Sequence, residues 1–431
     1  VIDPELMRKE PERVLANLER RRNPDLTRLF EEARAKDAEW RGVVVEADGL
    51  RKRRNELSHQ IADERKRGVP SSTLDDEAKR IPDALRTVEA RETEIRAARD
   101  LLVRRLPNLL DASVPYGKDD TENVVAATWG EPAPATAGLL PHGELLEKLG
   151  MAEFDRARRS SGAGFYYLKG PVVLLDLALQ RFALDLLAGK GFTPVAPPYL
   201  LRRGPYEGVT DLADFENVMY KIDGEDLYLI ATSEHPLAAL YAGEILDEDT
   251  LPIRLAGVSP CFRKEIGGHG VDQKGVFRVH QFQKVEQFVF CRPEESGAVH
   301  EEIRANAEEV FRQLRIPYRV VNVCTGDVGT VAAKKYDIEA WFPRQQAYRE
   351  VVSCSNCTDY QARRLGIRLG KAGKPGKRVP HTLNSTAVAT SRALAVILEQ
   401  YQQTDGTVTV PEVLRPYLGG LAALAPAAGA S

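Results

Sequence analysis

The chain is poor in several residue types, and each scarcity removes a class of function. Its 431 residues hold five cysteines, Cys261, Cys291, Cys324, Cys354 and Cys357, an odd number confined to the second half. That pattern does not build a disulfide framework and reads as reduced thiols. Seven scattered histidines form no catalytic triad. No apolar run reaches membrane-spanning length; the best, PVVLLDLALQRF, is broken by Asp176 and Arg181. The opening VIDPELMRKEPERV is charged and has no apolar centre, so no signal peptide is expected. These absences predict a cytoplasmic protein with no membrane partner. With 60 Lys and Arg against 63 Asp and Glu, the net charge of −3 excludes a surface coated in basic residues but allows local basic patches. A Walker P-loop is also missing, because GKAGKPGKR lacks the spacing and the Ser/Thr.

What is present is first a heptad. Steps of three and four give Leu26, Leu29, Ala33, Lys36, Trp40, Val43, Ala47, Leu50, Arg54, Leu57 and Ile61, and only Lys36 and Arg54 are not apolar. After Gly68-Val69-Pro70 the pattern resumes through Leu74, Ala78, Ile81, Leu85, Val88, Glu92, Ile95, Arg99, Leu102 and Leu106. Two heptad helices joined by a short turn fold back as an antiparallel coiled coil. Pro82 either kinks the second helix or marks its effective start. Two basic clusters, Arg51-Lys52-Arg53-Arg54 and Arg65-Lys66-Arg67, lie on this arm. They serve either solubility or contact with a nucleic-acid backbone, and the sequence leaves both open.

From Pro107 to about Gly170 the chain turns irregular, with a Pro/Ala/Gly stretch GEPAPATAG and a short helix at HGELLEKLGM. Residues 171–190 read as an amphipathic helix, followed by the extended FTPVAPPYLLRR. Strands and helices then alternate irregularly to about residue 418. The expected class is α+β: an N-terminal arm over 1–112, a linker or edge segment over 113–170, an antiparallel sheet flanked by helices over 171–418, and a frayed tail over 419–431.

The densest chemistry lies in CFRKEIGGHGVDQKGVFRVHQFQKVE, residues 261–286. Two strands joined by a long polar loop are expected there. Arg263 suits a phosphate, Glu265 can accept from an amino group, and Phe282 can stack on a base. Read alone, the segment is equally an ordinary charged hairpin.

Several pieces taken together tip the balance. The helix with FTPVAPPYL and its Pro198 resembles motif 1 of the class II aminoacyl-tRNA synthetases. CFRKE with GVFRVHQFQKVEQF resembles motif 2, and LNSTAVATSRALAVILEQYQ resembles motif 3. ATSEHPLAAL, REVVSCSNCTDYQ, VPEVLRPYL and the arm are similar to seryl-tRNA synthetases, so the resemblance spans nearly the whole chain. It implies ATP-dependent formation of seryl-adenylate from L-serine and transfer to the 3′ end of tRNA(Ser), with tRNA(Sec) as a further substrate. It also implies a homodimer.

By that resemblance Arg263 meets the α-phosphate of ATP and Arg392 the γ-phosphate side, and these two are the expected catalytic residues. Lys264, Glu265, Val279 and Phe282 belong to the ATP site, together with Glu350, Val351, Val352 and Ser353. Glu350 and Ser353 would hold Mg²⁺ with ATP. Serine would be bound by Thr232, Ser233 and Glu234 around its amine, by Arg263, and by Glu286, Asn384 and Thr386 around its hydroxyl. Taken singly, Glu286 is a strand carboxylate paired with Lys284 or Lys264, and Thr386 a helix N-cap. Arg51, Lys52, Arg53, Arg54, Arg65, Lys66, Arg67 and Lys274 are the expected tRNA contacts.

Cys354 and Cys357 form a CxxC with no second close Cys/His pair, so packing is expected and no zinc. In the motif 2 loop GGHGVDQKG, Val271 and Gln273-Lys274 depart from the family pattern of Arg and Thr-Arg. That departure bears on tRNA contact and not on adenylation. The rival readings are a paralogue serving antibiotic biosynthesis or self-resistance, a carrier-protein loading enzyme, and a catalytically silent RNA-binding scaffold. The known carrier-loading enzymes lack the arm. A silent scaffold would have lost Arg263, Glu286, Glu350 or Arg392, and all four are present.

Overall fold

The computed structural model describes residues 2–68, 70, 72–134, 138–210, 218–265, 275–371, 374–376 and 378–426. The chain divides into two compact units, Val1–Leu109 and Leu110–Ser431. The division falls slightly before the expected 112, because Leu110 already packs with Val321, Val323 and Val328. Among the described residues no helix is long and apolar enough to cross a membrane.

In the first unit, α1 (Pro24–Arg67) starts where the Asn23 side chain accepts from the Asp25 amide and Pro24 takes a first-turn position. It ends at Gly68, whose φ of 71° is the left-handed conformation that glycine adopts without cost. Its 44 residues span about 66 Å at 1.5 Å per residue. The antiparallel partner α2 (Ser72–Arg105) contains Pro82 within its length, so the helix does not begin there. The seam between them buries Val43, Ala47, Leu85, Val88 and Ile95.

At Lys36 the heptad reading fails by one residue, since Asp37 is the buried position at 4% exposure. Asp37 accepts from Arg8 Nε and Nη2 at 2.7 and 2.6 Å, with Arg41 and Arg99 at 3.2 and 3.8 Å. Burial alone would raise this carboxyl, but the surrounding guanidinium groups outweigh it and hold it below its ordinary value.

In the second unit, the segment expected as linker supplies β1 (Val124–Trp129), an edge strand, and α3 (His142–Lys148). Then come α4 (Pro171–Gly189), β2 (Thr193–Val195), β3 (Ile253–Phe262) and β4 (Gln281–Cys291). The chain continues through α5 (Ser296–Gln313), β5 (Tyr318–Asn322), β6 (Lys334–Phe342), β7 (Ala347–Thr358), β8 (His381–Ala389) and α6 (Thr390–Gln400). These strands form one eight-stranded sheet in the order β1-β5-β6-β7-β8-β4-β3-β2. Every pair is antiparallel except β2 with β3. Helices α4, α5 and α6 pack in the main core with the inward faces of these strands. The expected fold class is therefore the observed one.

The tail departs from expectation. Ala423–Leu424 pair with Val408–Thr409, and Leu424 is fully buried, because its side chain completes the core under the preceding 3₁₀ turn. Fraying does not start at residue 419; residues 427–431 lie outside the described residues.

Replacing Asp37 by Ala is expected to destabilise the first unit by about 2 kcal/mol, the loss of a buried carboxylate partly offset by Arg8 reaching solvent. Because the folded carboxyl is depressed, this contribution is present above the ordinary carboxylate range and disappears as pH falls through the folded value. Thermal unfolding of wild type and Asp37→Ala from neutral to strongly acid pH checks both: the two melting curves should converge only at the acid end.

Candidate active site

A strand places alternate side chains on one face, so Phe282, Lys284 and Glu286 of β4 all point the same way. Their partners in register are Cys261, Ser259 and Gly257 on β3, while Thr386 on β8 lies opposite Glu286. Gly257 is needed here for space: a Cβ would stand 2.9 Å from Ser233 Cβ and 2.7 Å from Leu237 Cδ1. Its absence lets the Thr232–Glu234 turn lie directly on the strand.

Alternation alone would send Glu350 and Ser353 of β7 to opposite faces. The register shifts there: Ile338 faces Val352 but Glu339 faces Glu350, leaving Val351 as an extra residue. This bulge brings Glu350 and Ser353 to the same cavity. Val352 goes the other way, its side chain buried in the core, so any contact of Val352 with ATP falls to its backbone.

The cavity these strands enclose measures about 290 Å³. At its closed end Glu286, 1% exposed, receives two contacts on the same oxygen: Lys284 Nζ reaches Oε2 at 2.5 Å and Thr386 Oγ1 donates to it at 3.1 Å. Lys284 also donates to Thr232 Oγ1 at 2.5 Å. The ordinary reading of Glu286 as a lysine-paired carboxylate is thus correct, and the pair lies inside the cavity. Thr386 is no helix cap; it is a strand residue, and α6 starts beyond it.

Glu234 lines the same end, with Gln361 Nε2 donating to its Oε1 at 2.8 Å. Burial and then the charge of Glu286 push the Glu234 carboxyl up to about 7, against the pull of Lys284. Asn384 also lines the cavity, its amide 3.6 Å from Cys357 Sγ. Ser233 does not: fully buried, it donates to Gly257 O at 3.4 Å.

Two guanidinium groups lie at the other end. Arg263 donates to Ala231 O at 3.2 Å and stands 5.2 Å from the Phe282 ring centroid. Arg392 donates to Glu350 through its backbone oxygen at 3.0 Å and its Oε1 at 2.9 Å. A smaller recess continues beyond them, lined by Glu265, Phe277, Arg278, Val279 and Phe282 along with both arginines. Lys264 borders neither space; its Nζ lies 5.7 Å from the Tyr220 ring centroid.

Sequence reasoning missed Lys284 as a cavity residue, although its place two residues from Phe282 and two from Glu286 marks the shared strand face. It also missed Gln361 and Phe277. Cys354 and Cys357 are buried free thiols, both pushed up by burial. Among the described residues no group of three or more His, Cys, Asp or Glu is placed to hold a metal.

On the arm, Arg51, Arg53 and Arg65 pair across the helices with Glu89, Glu77 and Asp75 at 2.8, 2.7 and 3.4 Å. Lys52 and Lys66 approach Glu56 and Asp63 of their own helix at 3.9 and 3.8 Å, and Arg54 and Arg67 are exposed. Lys274, and with it the loop departures at Val271 and Gln273, lies outside the described residues.

A family model for the tRNA synthetase class II core domain (G, H, P, S and T) matches residues 218–401, and one for the seryl-tRNA synthetase N-terminal domain matches residues 1–110. The serine–tRNA ligase of Methanocella arvoryzae is 57% identical over 422 residues, covering 98% of this chain and 99% of that protein. The crystal structure of seryl-tRNA synthetase from Pyrococcus horikoshii complexed with ATP matches with a TM-score of 0.93 at 50% identity, over 99% of this chain and 100% of that one. The cytoplasmic serine–tRNA ligase of Naegleria fowleri in complex with AMP gives a TM-score of 0.88 at 34% identity, over 98% of both chains. Similarity of this extent, across both units, means that the chain belongs to the seryl-tRNA synthetases of class II.

Proposed function

We propose that this protein joins L-serine to ATP as seryl-adenylate and then passes the seryl group to the 3′ end of tRNA(Ser). The observation that carries the reading is the closed end of the cavity, where a buried carboxylate keeps one oxygen for a substrate. Lys284 and Thr386 both bond Oε2 of Glu286, so Oε1 is the oxygen left to accept from the hydroxyl of serine. A site built around a hydroxyl rejects alanine, which would leave that oxygen desolvated and unbonded. Arg263, Glu286, Glu350 and Arg392, whose loss would mark a silent scaffold, all line this one cavity.

In the first step a carboxylate oxygen of serine attacks the α-phosphorus. The new P–O bond forms as the bond to the β-phosphate oxygen breaks, and diphosphate leaves with that electron pair. The nucleophile is already ionised, so no general base is required. The protein supplies alignment and cationic charge, from Arg263 beside the α-phosphate and Arg392 toward the γ-phosphate. Glu234 would hold the serine ammonium, and the recess past the arginines would take adenine, stacked on Phe282 beside Glu265.

The donor set near Glu350 suits a hard divalent cation. Asp337, 5% exposed, lines a neighbouring cleft with Glu350, and its Oδ1 accepts no hydrogen bond among the described residues. Burial and the charge of Glu350 push its carboxyl up to about 7. Glu350 and Ser353 would hold Mg²⁺, with phosphate oxygens completing the shell. When bound, the ion neutralises charge on the triphosphate. A homodimer is also proposed, supported by Leu174 and Leu177, half exposed on the motif 1 helix α4.

Serine-dependent ATP–diphosphate exchange is the first test, and a well-folded protein without it would refute the reading. Glu286→Ala should lower exchange with serine at least 100-fold while ATP affinity stays within about threefold; equal losses would remove its role at the hydroxyl. Deleting residues 30–105 should spare exchange and abolish charging of serine tRNA, and charging that survives would mean that the arm does not bind tRNA.

The serine amine needs an ionised Glu234, whose carboxyl titrates at about 7 in the free protein. The KM for serine is therefore expected to rise as pH falls below 7, approaching about tenfold per unit. Exchange kinetics between pH 6 and 8 with wild type and Glu234→Gln check this, since the variant should keep a high but flat KM.

A further inference from the structure

His142 is fully buried at the first position of α3, and the chemistry proposed above makes no use of it. Its Nε2 lies 3.2 Å from the Val276 amide nitrogen and accepts that hydrogen. Acceptance there requires an unprotonated Nε2, so the ring proton of the neutral imidazole is on Nδ1. Nδ1 faces Glu399 Oε1 at 3.5 Å. Glu399, near the C-terminal end of α6, is 1% exposed, and neither of its oxygens makes a hydrogen bond among the described residues. Arg344, from the turn between β6 and β7, approaches the same Oε1 at 3.5 Å.

A buried carboxylate held this loosely costs stability, so packing alone does not account for it. The backbone at the contact is shaped for the ring. At Gly275 a Cβ would stand 2.2 Å from His142 Nε2, and only glycine lets imidazole reach the Val276 amide.

Helix α6 meets the same segment a second time. Arg392 lies seven residues before Glu399, two turns away and on the same face. Its guanidinium stands 5.4 Å from the Phe277 ring centroid. Consecutive residues thus meet one helix, Val276 through His142, whose Nδ1 stands beside Glu399 without a hydrogen bond among the described residues, and Phe277 through Arg392. The residues that follow, Val279 and Phe282, line the recess assigned to adenine.

We infer that His142 is a positioning residue for ATP: by holding Val276 it sets where Phe277, Val279 and Phe282 stand against Arg392, and it leaves the serine end of the cavity alone. The inference rests on reading the recess as the nucleotide site.

The test uses the full-length protein. His142→Gln places an amide oxygen where Nε2 stands, and His142→Leu fills the space with no acceptor. In serine-dependent exchange, His142→Leu is expected to raise the KM for ATP about tenfold, the worth of one buried hydrogen bond, with the KM for serine within twofold. His142→Gln should restore most of the ATP affinity. Equal impairment of both variants, or parallel rises in both KM values, would overturn the assignment. Should the variants not fold, deuterium exchange at the Val276 amide of the wild type decides: slow exchange supports the contact, and exchange at the rate of an unstructured peptide overturns it. That measurement needs no substrate, so failure of diphosphate exchange in the wild type would count against the proposed function and not against the contact.

Discussion

A carboxylate almost entirely removed from water is the constraint around which the second unit is arranged. Glu286 could not be buried at 1% exposure without compensation, because desolvating a charge costs several kcal/mol. Lys284 supplies the opposite charge two residues away on the same strand face, and Thr386 supplies a hydroxyl from the neighbouring strand. Lys284 in turn needs a second acceptor, which Thr232 provides. That last bond reaches off the sheet to a turn that comes close only because Gly257 has no side chain. The closed end of the cavity is therefore one connected polar network, and its members cannot be exchanged singly without stranding a partner.

The two ends of the cavity solve opposite electrostatic problems. At the closed end two carboxylates lie close together out of water, and the Glu234 carboxyl is raised by burial first and by the charge of Glu286 second. At the open end Arg392 is matched by Glu350, with Arg263 nearby and only a backbone carbonyl bonded to its Nε. A zwitterionic amino acid fits this field with its ammonium toward the carboxylates and its own carboxylate toward the guanidinium groups. On the function proposed above, charge alone would favour the orientation that permits attack on phosphorus.

Much of this was readable from the residues, and the failures have physical causes. Heptad spacing found Leu29, Ala33, Val43, Ala47 and Leu57 as buried positions of α1. It chose Lys36 over Asp37 because periodicity carries no information about the three arginines that make a buried aspartate tolerable. Resemblance located Arg263, Phe282, Glu286 and Arg392 by spelling, and these do line the cavity. It took in Val352 with its neighbours because a motif is a contiguous string, whereas a strand turns alternate side chains away; Ser233, in a turn, donates to Gly257 O instead of lining the cavity. Lys284 was taken for a bland partner and is instead a cavity wall. His142, 134 residues from Val276 in sequence, had no local signal at all.

The bulge at Val351 makes the nucleotide end sensitive to parity. Glu350 precedes the extra residue and Ser353 follows it, so both line one cavity only because one strand carries one residue more than its neighbour. Point substitutions along β7 change what a given position presents, but a one-residue deletion there would invert every side chain on one flank.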